Sequence, residues 1–211
     1  MFLHIVLRGI SGVGKTTLRN RLTRWFVAHG CQVIVFSKDM IRKEIRRYCG
    51  TPYVYSQKQE ELCRTLYRTR LEAFFEHPAG SFSDPGAKVV IISDCTNTSL
   101  KALQDSCFYW PYDLEWYYED LLDNSPVPIQ QVLIEVGTSL SFCHKHLKDS
   151  TGHALAVQRQ RLELEDSAST VRWWCMISRG IPMYHVPSTA RPDLDSGFEE
   201  LALSLYSYFT K

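Results

Sequence analysis

With 211 residues and 45% hydrophobic side chains, the chain has room for one core, so a single domain over 1–211 is expected. A net charge of +1 argues against a protein that coats polyanions generally, and no apolar run approaches the roughly 18 residues of a membrane span, so no membrane partner is expected. Seven cysteines without CxxC pairs argue against a disulfide framework and for a reducing, intracellular (cytoplasmic or nuclear) setting.

Met1 leads straight into an apolar run, Phe2 to Leu7, which reads as a strand buried on both faces rather than a leader peptide. Glycines follow, and then Leu18, Leu22, Trp25 and Phe26 recur at helical spacing until Gly30. Val33 to Phe36 is a second buried strand. Met40, Ile41, Ile45 and Tyr48 mark a short amphipathic helix ended by Gly50 and Pro52. Cys63, Tyr67, Leu71, Phe74 and Phe75 mark a longer one, followed by a Gly/Ser/Pro loop from Pro78 to Gly86. Val89 to Ile92, Val132 to Val136 and Met183 to Val186 are further strands, and a last helix covers about Phe198 to Phe209. Strands alternating with helices predict an α/β fold with a parallel sheet flanked by helices on both faces.

Two stretches interrupt the rhythm. Residues 108–128, with Trp110, Trp116 and several tyrosines, read as an insertion: an oligomer contact, a platform for a substrate strand or ordinary packing. Residues 149–169 are polar with few apolar anchors and read as a lid. Cys143, His144, His146 and His153 cluster in sequence but match no zinc-ligand spacing.

Gly9-Ile10-Ser11-Gly12-Val13-Gly14-Lys15-Thr16 fits G-x-x-x-x-G-K-[ST] without a mismatch, directly after a buried strand and at the start of an amphipathic helix. In such a P-loop the glycines let backbone N–H groups turn inward around phosphate, and the helix N-terminus adds its positive dipole end. Gly9, Ser11, Gly12, Val13, Gly14, Lys15, Thr16 and Thr17 are therefore the expected nucleotide-binding residues. Lys15 would reach the β- and γ-phosphates, and the Thr16 hydroxyl would ligate Mg²⁺. A guanine-reading N-K-x-D is absent. The strand Val89 to Ile92 is followed by Ser93-Asp94-Cys95-Thr96-Asn97, without the acidic pair of motor ATPases. A small kinase of P-loop NTPase type, taking ATP or GTP, remains.

Ser37-Lys38-Asp39-Met40-Ile41-Arg42 follows the second strand, which is expected to abut the P-loop strand and so to aim these side chains at the transferred phosphoryl group. A carboxylate there would take the proton of an attacking hydroxyl. One helical turn would bring Arg42 beside Asp39, as a clamp for an acceptor phosphate. The competing reading makes Asp39 a helix N-cap with an incidental arginine. Between Lys38 and Arg70 there are nine Lys or Arg against four acids, with Tyr48, Tyr53 and Tyr55 interspersed. Bases stack on such rings while cations track phosphates; half-buried packing is the other explanation of the tyrosines.

The D-x-x-R after the second strand, with Val-Ile-Ile-Ser-Asp-Cys-Thr-Asn at the third, resembles the 5′-hydroxyl polynucleotide kinase family, the kinase domains of phage and eukaryotic RNA or DNA end-healing enzymes. The likeness covers about residues 2–100. It implies a polynucleotide 5′-OH end as substrate, a role in RNA or DNA repair, Lys15 and Thr16 on the donor phosphates, Asp39 as general base and Arg42 on the acceptor phosphate. It further implies Asp94 and Thr96 along the acceptor site. Members carry lid arginines as R-N-x-x-R after the fourth strand; here Ser141 to Lys148 holds none, and Arg159 and Arg161 are the substitutes that would clamp the γ-phosphate. Small-molecule P-loop kinases (sulfate-activating, gluconate or zeta-toxin-like) are the alternative, and a non-catalytic nucleotide-binding protein the other.

Overall fold

The computed structural model describes residues 1–9, 13–50, 57–76, 86–94, 125, 127–137, 181–187 and 195–210. Five strands, β1 (Phe2–Arg8), β2 (Gln32–Ser37), β3 (Val89–Asp94), β4 (Ile129–Gly137) and β5 (Met183–Pro187), make one sheet in the order β2-β3-β1-β4-β5. Every pairing is parallel. Four helices are described: α1 (Lys15–Ala28), α2 (Lys38–Cys49), α3 (Gln57–Glu76) and α4 (Asp195–Thr210). The insertion expected at 108–128 falls almost entirely, and the lid at 149–169 wholly, outside the described residues, as does the 78–85 part of the loop.

The apolar runs form strands because both of their faces have somewhere to go. Leu3, Ile5 and Leu7 of β1 point to one side with Val90, Ile92, Val132, Ile134 and Val136, and α1 and α4 cover them with Leu18, Leu22, Phe26, Leu205 and Phe209. Phe2 of β1 and Val89 and Ile91 of β3 point to the other side, where Ile41 and Ile45 of α2 and Cys63, Tyr67, Leu71 and Phe74 of α3 pack. Each such large side chain contributes about 1.5–3 kcal/mol on burial. Helix α1 ends where Gly30 N donates to Val27 O at 3.1 Å and Cys31 N to Phe26 O at 3.0 Å, the paired bonds of a Schellman stop.

Two expectations need correcting. The second strand does not abut the P-loop strand: β3 lies between them, with Val89 in register with both Phe2 of β1 and Gln32 of β2. Val-Val-Ile-Ile in β3 is apolar on both faces and 0–1% exposed, whereas the first four residues of β2 are only partly buried, so β3 takes the interior position and β2 the edge. In α2, Ile41 and Ile45 are buried at 2% and 4%, but Met40 and Tyr48 are 45% and 93% exposed. Ile41 and Ile45 stack one turn apart. Met40 lies about 100° around the helix from Ile41, and Tyr48 sits in the last turn. Glu44 of α2 accepts hydrogen bonds from Arg70 of α3 at 2.7 and 3.4 Å, tying the two helices together. No helix among the described residues is long and apolar enough to cross a membrane.

Candidate functional site

The chain leaves β1 at Gly9 with φ +135°, a backbone geometry that side chains other than hydrogen rarely tolerate. A Cβ at Gly9 would also collide with the carbonyl oxygen of Val136 in β4. The loop is thus pressed against the sheet end from its first residue. Val13 is fully buried and belongs to the same apolar cluster as Leu7 and Leu18, which pins the far limb of the loop. Gly14, in a left-handed conformation at φ 101°, caps α1, and its carbonyl accepts from Leu18 N at 3.0 Å.

Lys15 opens the helix at 5% exposure and donates from Nζ to the carbonyl of Gly9 at 2.7 Å. The ammonium therefore spans the loop from its last glycine turn to its first residue. Thr16 and Thr17 are exposed on the first turn, which contains no acid to oppose an incoming anion. Ile10, Ser11 and Gly12 lie outside the described residues. A glycine turn held against the sheet end, a buried ammonium bonded across it and a helix N-terminus without acids together suit an anionic group such as the phosphate of a nucleotide.

Two strands along, Ser37 ends β2 in extended geometry (φ −136°, ψ 124°) and occupies the N-cap of α2. Asp39 is accordingly inside the first turn, so the reading of Asp39 as the cap is corrected: the backbone turns helical at Lys38, one residue before it. Arg42 Nη1 donates to Asp39 Oδ1 at 3.0 Å, the contact that the three-residue spacing predicts. The carboxylate is the open member of the pair, with its side chain 50% exposed against 15% for Arg42. Ser37 pairs with Asp94, and Asp94 with Leu7, so the end of β3 separates the D-x-x-R from the P-loop strand. At a strand spacing of roughly 5 Å, the β1 and β2 ends stand about 10 Å apart. The Asp94 side chain lies outside what is described, as do Thr96, Arg159, Arg161 and the Cys143–His153 group.

Three features were not singled out from the sequence. His4 Nε2 and Ser93 Oγ are 2.8 Å apart, both fully buried, joining β1 to β3 one residue before Asp94. Burial, then the Arg8 charge, lowers the His4 pKa from 6.5 to about 3, so the ring is neutral at physiological pH. Arg8, 7% exposed, stands in register with Glu135 as β1 enters the loop. Ser37 Oγ is buried without a hydrogen-bond partner at the start of α2. The signal available for each was a polar residue inside or ending an apolar run.

No protein-family model and no curated protein matches the chain. Among solved structures the chain is similar to the protein described as APE1195, at 15% identity and a TM-score of 0.48, over 99% of this chain and 97% of that one. The parallel five-stranded sheet of order 2-3-1-4-5, with helices on both faces and a glycine loop running from β1 into α1, is a P-loop NTPase-like fold.

Proposed function

We propose that the chain is an NTP-dependent polynucleotide 5′-hydroxyl kinase, which moves the γ-phosphoryl group of ATP or GTP to the 5′-OH end of RNA or DNA. The observation that carries this reading is the Asp39–Arg42 pair at the carboxyl end of β2, one strand removed from a P-loop with its lysine folded over it. Ligands of open parallel sheets gather at this edge.

On this reading Lys15 and the N-terminus of α1 bind the β- and γ-phosphates, and Thr16 would hold Mg²⁺, which offsets the charge of the phosphate oxygens when bound. Asp39 accepts the proton as the 5′-oxygen attacks phosphorus. The bond from the γ-phosphorus to the bridging oxygen breaks, and the nucleoside diphosphate leaves with that electron pair. Arg42 orients Asp39 and reaches the phosphate 3′ of the terminal nucleoside. Asp94 and Thr96 would line the acceptor, and Arg159 and Arg161 would clamp the γ-phosphate. The Ser37 hydroxyl, buried and unpartnered next to this pair, adds a polar group at the same edge.

The test offers radiolabelled ATP and GTP to 5′-OH oligonucleotides and to small hydroxyl compounds in parallel. Label on the oligonucleotide end supports the reading. Label on a small hydroxyl compound alone replaces it with a small-molecule P-loop kinase. NTP hydrolysis without transfer to any acceptor removes both.

A further inference from the structure

We propose that His185 of β5 seats the nucleoside of the NTP donor, as the exposed end of a row, Arg8–Glu135–His185, that crosses the sheet beside the P-loop. This rests on the nucleotide-binding reading above and adds the side chain that meets the donor's base. Arg8 of β1 is in register with Glu135 of β4, and Glu135 with His185 of β5. Residues in register on parallel strands share a face of the sheet. Two positions earlier on that face, Val6, Leu133 and Met183 stand in the same register and form an apolar cluster with Ile181. The face thus changes from apolar to ionisable at the level where β1 gives way to the loop. Exposure rises along the row, from Arg8 at 7% through a half-buried Glu135 to an exposed His185.

Gly137 gives the ring its place. It is the next residue of β4 on the same face, and a Cβ there would stand 2.5 Å from His185 Cε1 and 3.1 Å from Nε2. The imidazole therefore lies over the end of β4, towards the P-loop strand, in space that any other residue's side chain would take. A histidine that only met water could turn outward and would need no such clearance. After β1 the chain goes to β2 on one side, and after β4 to β5 on the other, so the winding reverses between the neighbours β1 and β4. Ligands of open parallel sheets bind outside the carboxyl ends of the strands at such a point. Gly9, the first P-loop residue, already sits against the Val136 carbonyl of β4 there. Asp39 follows β2 on one flank of the loop, and in-line transfer sends the leaving nucleoside diphosphate to the other, the β4–β5 flank. His185 is two strands from β1, about 10 Å, a gap that a ribose and its α-phosphate bridge. An exposed aromatic ring at that distance offers the base a surface to stack on.

Isothermal titration of the full chain with the β,γ-imido analogues of ATP and GTP, and with inorganic tripolyphosphate, all with Mg²⁺, tests this. The wild type should bind the analogues more tightly than tripolyphosphate, which has phosphates but no nucleoside. His185→Ala should weaken the analogues about fivefold or more and leave tripolyphosphate unchanged. His185→Phe, which keeps a ring, should retain most of the affinity. Gly137→Ala, whose methyl group displaces the imidazole, should show the same selective loss as His185→Ala. Wild-type analogue affinity in His185→Ala would overturn the proposal, and so would an equal loss for tripolyphosphate, which would assign His185 to the fold instead. Phosphoryl transfer to 5′-OH oligonucleotides is scored separately. A selective nucleoside defect without any transfer supports the seat and sinks the kinase; transfer with an indifferent His185→Ala sinks the seat alone.

Discussion

The Lys15 ammonium donates to the carbonyl of Gly9 at 2.7 Å, six residues back along the chain and across the mouth of the loop. A charged group that is 5% exposed needs partners, and one of them here is a neutral dipole of the loop itself. On the proposed reading, phosphate oxygens of the donor would join this carbonyl as partners of the ammonium. Lys15→Ala should lower the rate of phosphoryl transfer by on the order of 10²–10³ while preserving the fold. Thr16→Ala, at an exposed hydroxyl, should do likewise without a change in thermal stability. Turnover of a folded Lys15→Ala protein at the wild-type rate would contradict the reading of the loop.

Gly9→Ala should fail for a different reason. The new Cβ meets backbone, the Val136 carbonyl, which cannot rotate away, and φ +135° is strained for alanine. Strain of this kind costs on the order of 1–3 kcal/mol, and the overlap a similar amount. Together these come to about 2–6 kcal/mol, so Tm should fall by about 4–24 °C. Gly30→Ala is the control: φ is +77°, but nothing lies within 4 Å of the added carbon, so the cost should be near 1 kcal/mol. Equal shifts for the two variants in a melting experiment would refute the collision.

Asp39 and Arg42 share one ion pair but should separate kinetically. Asp39→Asn keeps the shape and an acceptor for Arg42 Nη1 but removes the base, so kcat should drop about 10²–10⁴-fold with little change in acceptor KM. Arg42→Ala should mainly raise KM for acceptors with a phosphate 3′ of the terminal nucleoside, and the defect should shrink when that phosphate is missing. Identical kinetic profiles for the two variants would mean that the pair acts only as a structural unit.

His4 should make stability depend on pH on the acid side. Its pKa is about 3 in the folded chain against an ordinary 6.5, so between these values the unfolded chain binds a proton that the folded one does not. Stability is therefore fully present above about pH 6.5 and falls as pH drops towards 3, by at most about 1.4 kcal/mol per pH unit. His4→Gln should flatten this part of the profile, measured as Tm between pH 7 and 4.5. A variant with the wild-type slope would place the acid sensitivity elsewhere.

Much of the candidate site was legible because its parts are local. The glycine spacing, the lysine and threonine at the helix start and the apolar runs lie within a few residues of each other, and helical geometry alone brings Arg42 onto Asp39. The α/β class and the five strands followed from the alternation of period and from Gly30 and Gly50 as stops, both at positive φ. Strand order was not local. β1 and β3 are both short apolar runs, and nothing within either says which will neighbour β2; the choice rests on how each strand's two faces are covered, which only the assembled layers decide. The same holds for polar residues. His4 in β1 and Ser93 in β3 read as interruptions in two separate strands, and become one buried hydrogen bond when parallel pairing brings strands 89 residues apart into register. Tyr48 shows the converse: its apolar helical spacing predicted a core position, and tertiary packing left it in solvent at the end of a helix whose buried face is made by Ile41 and Ile45.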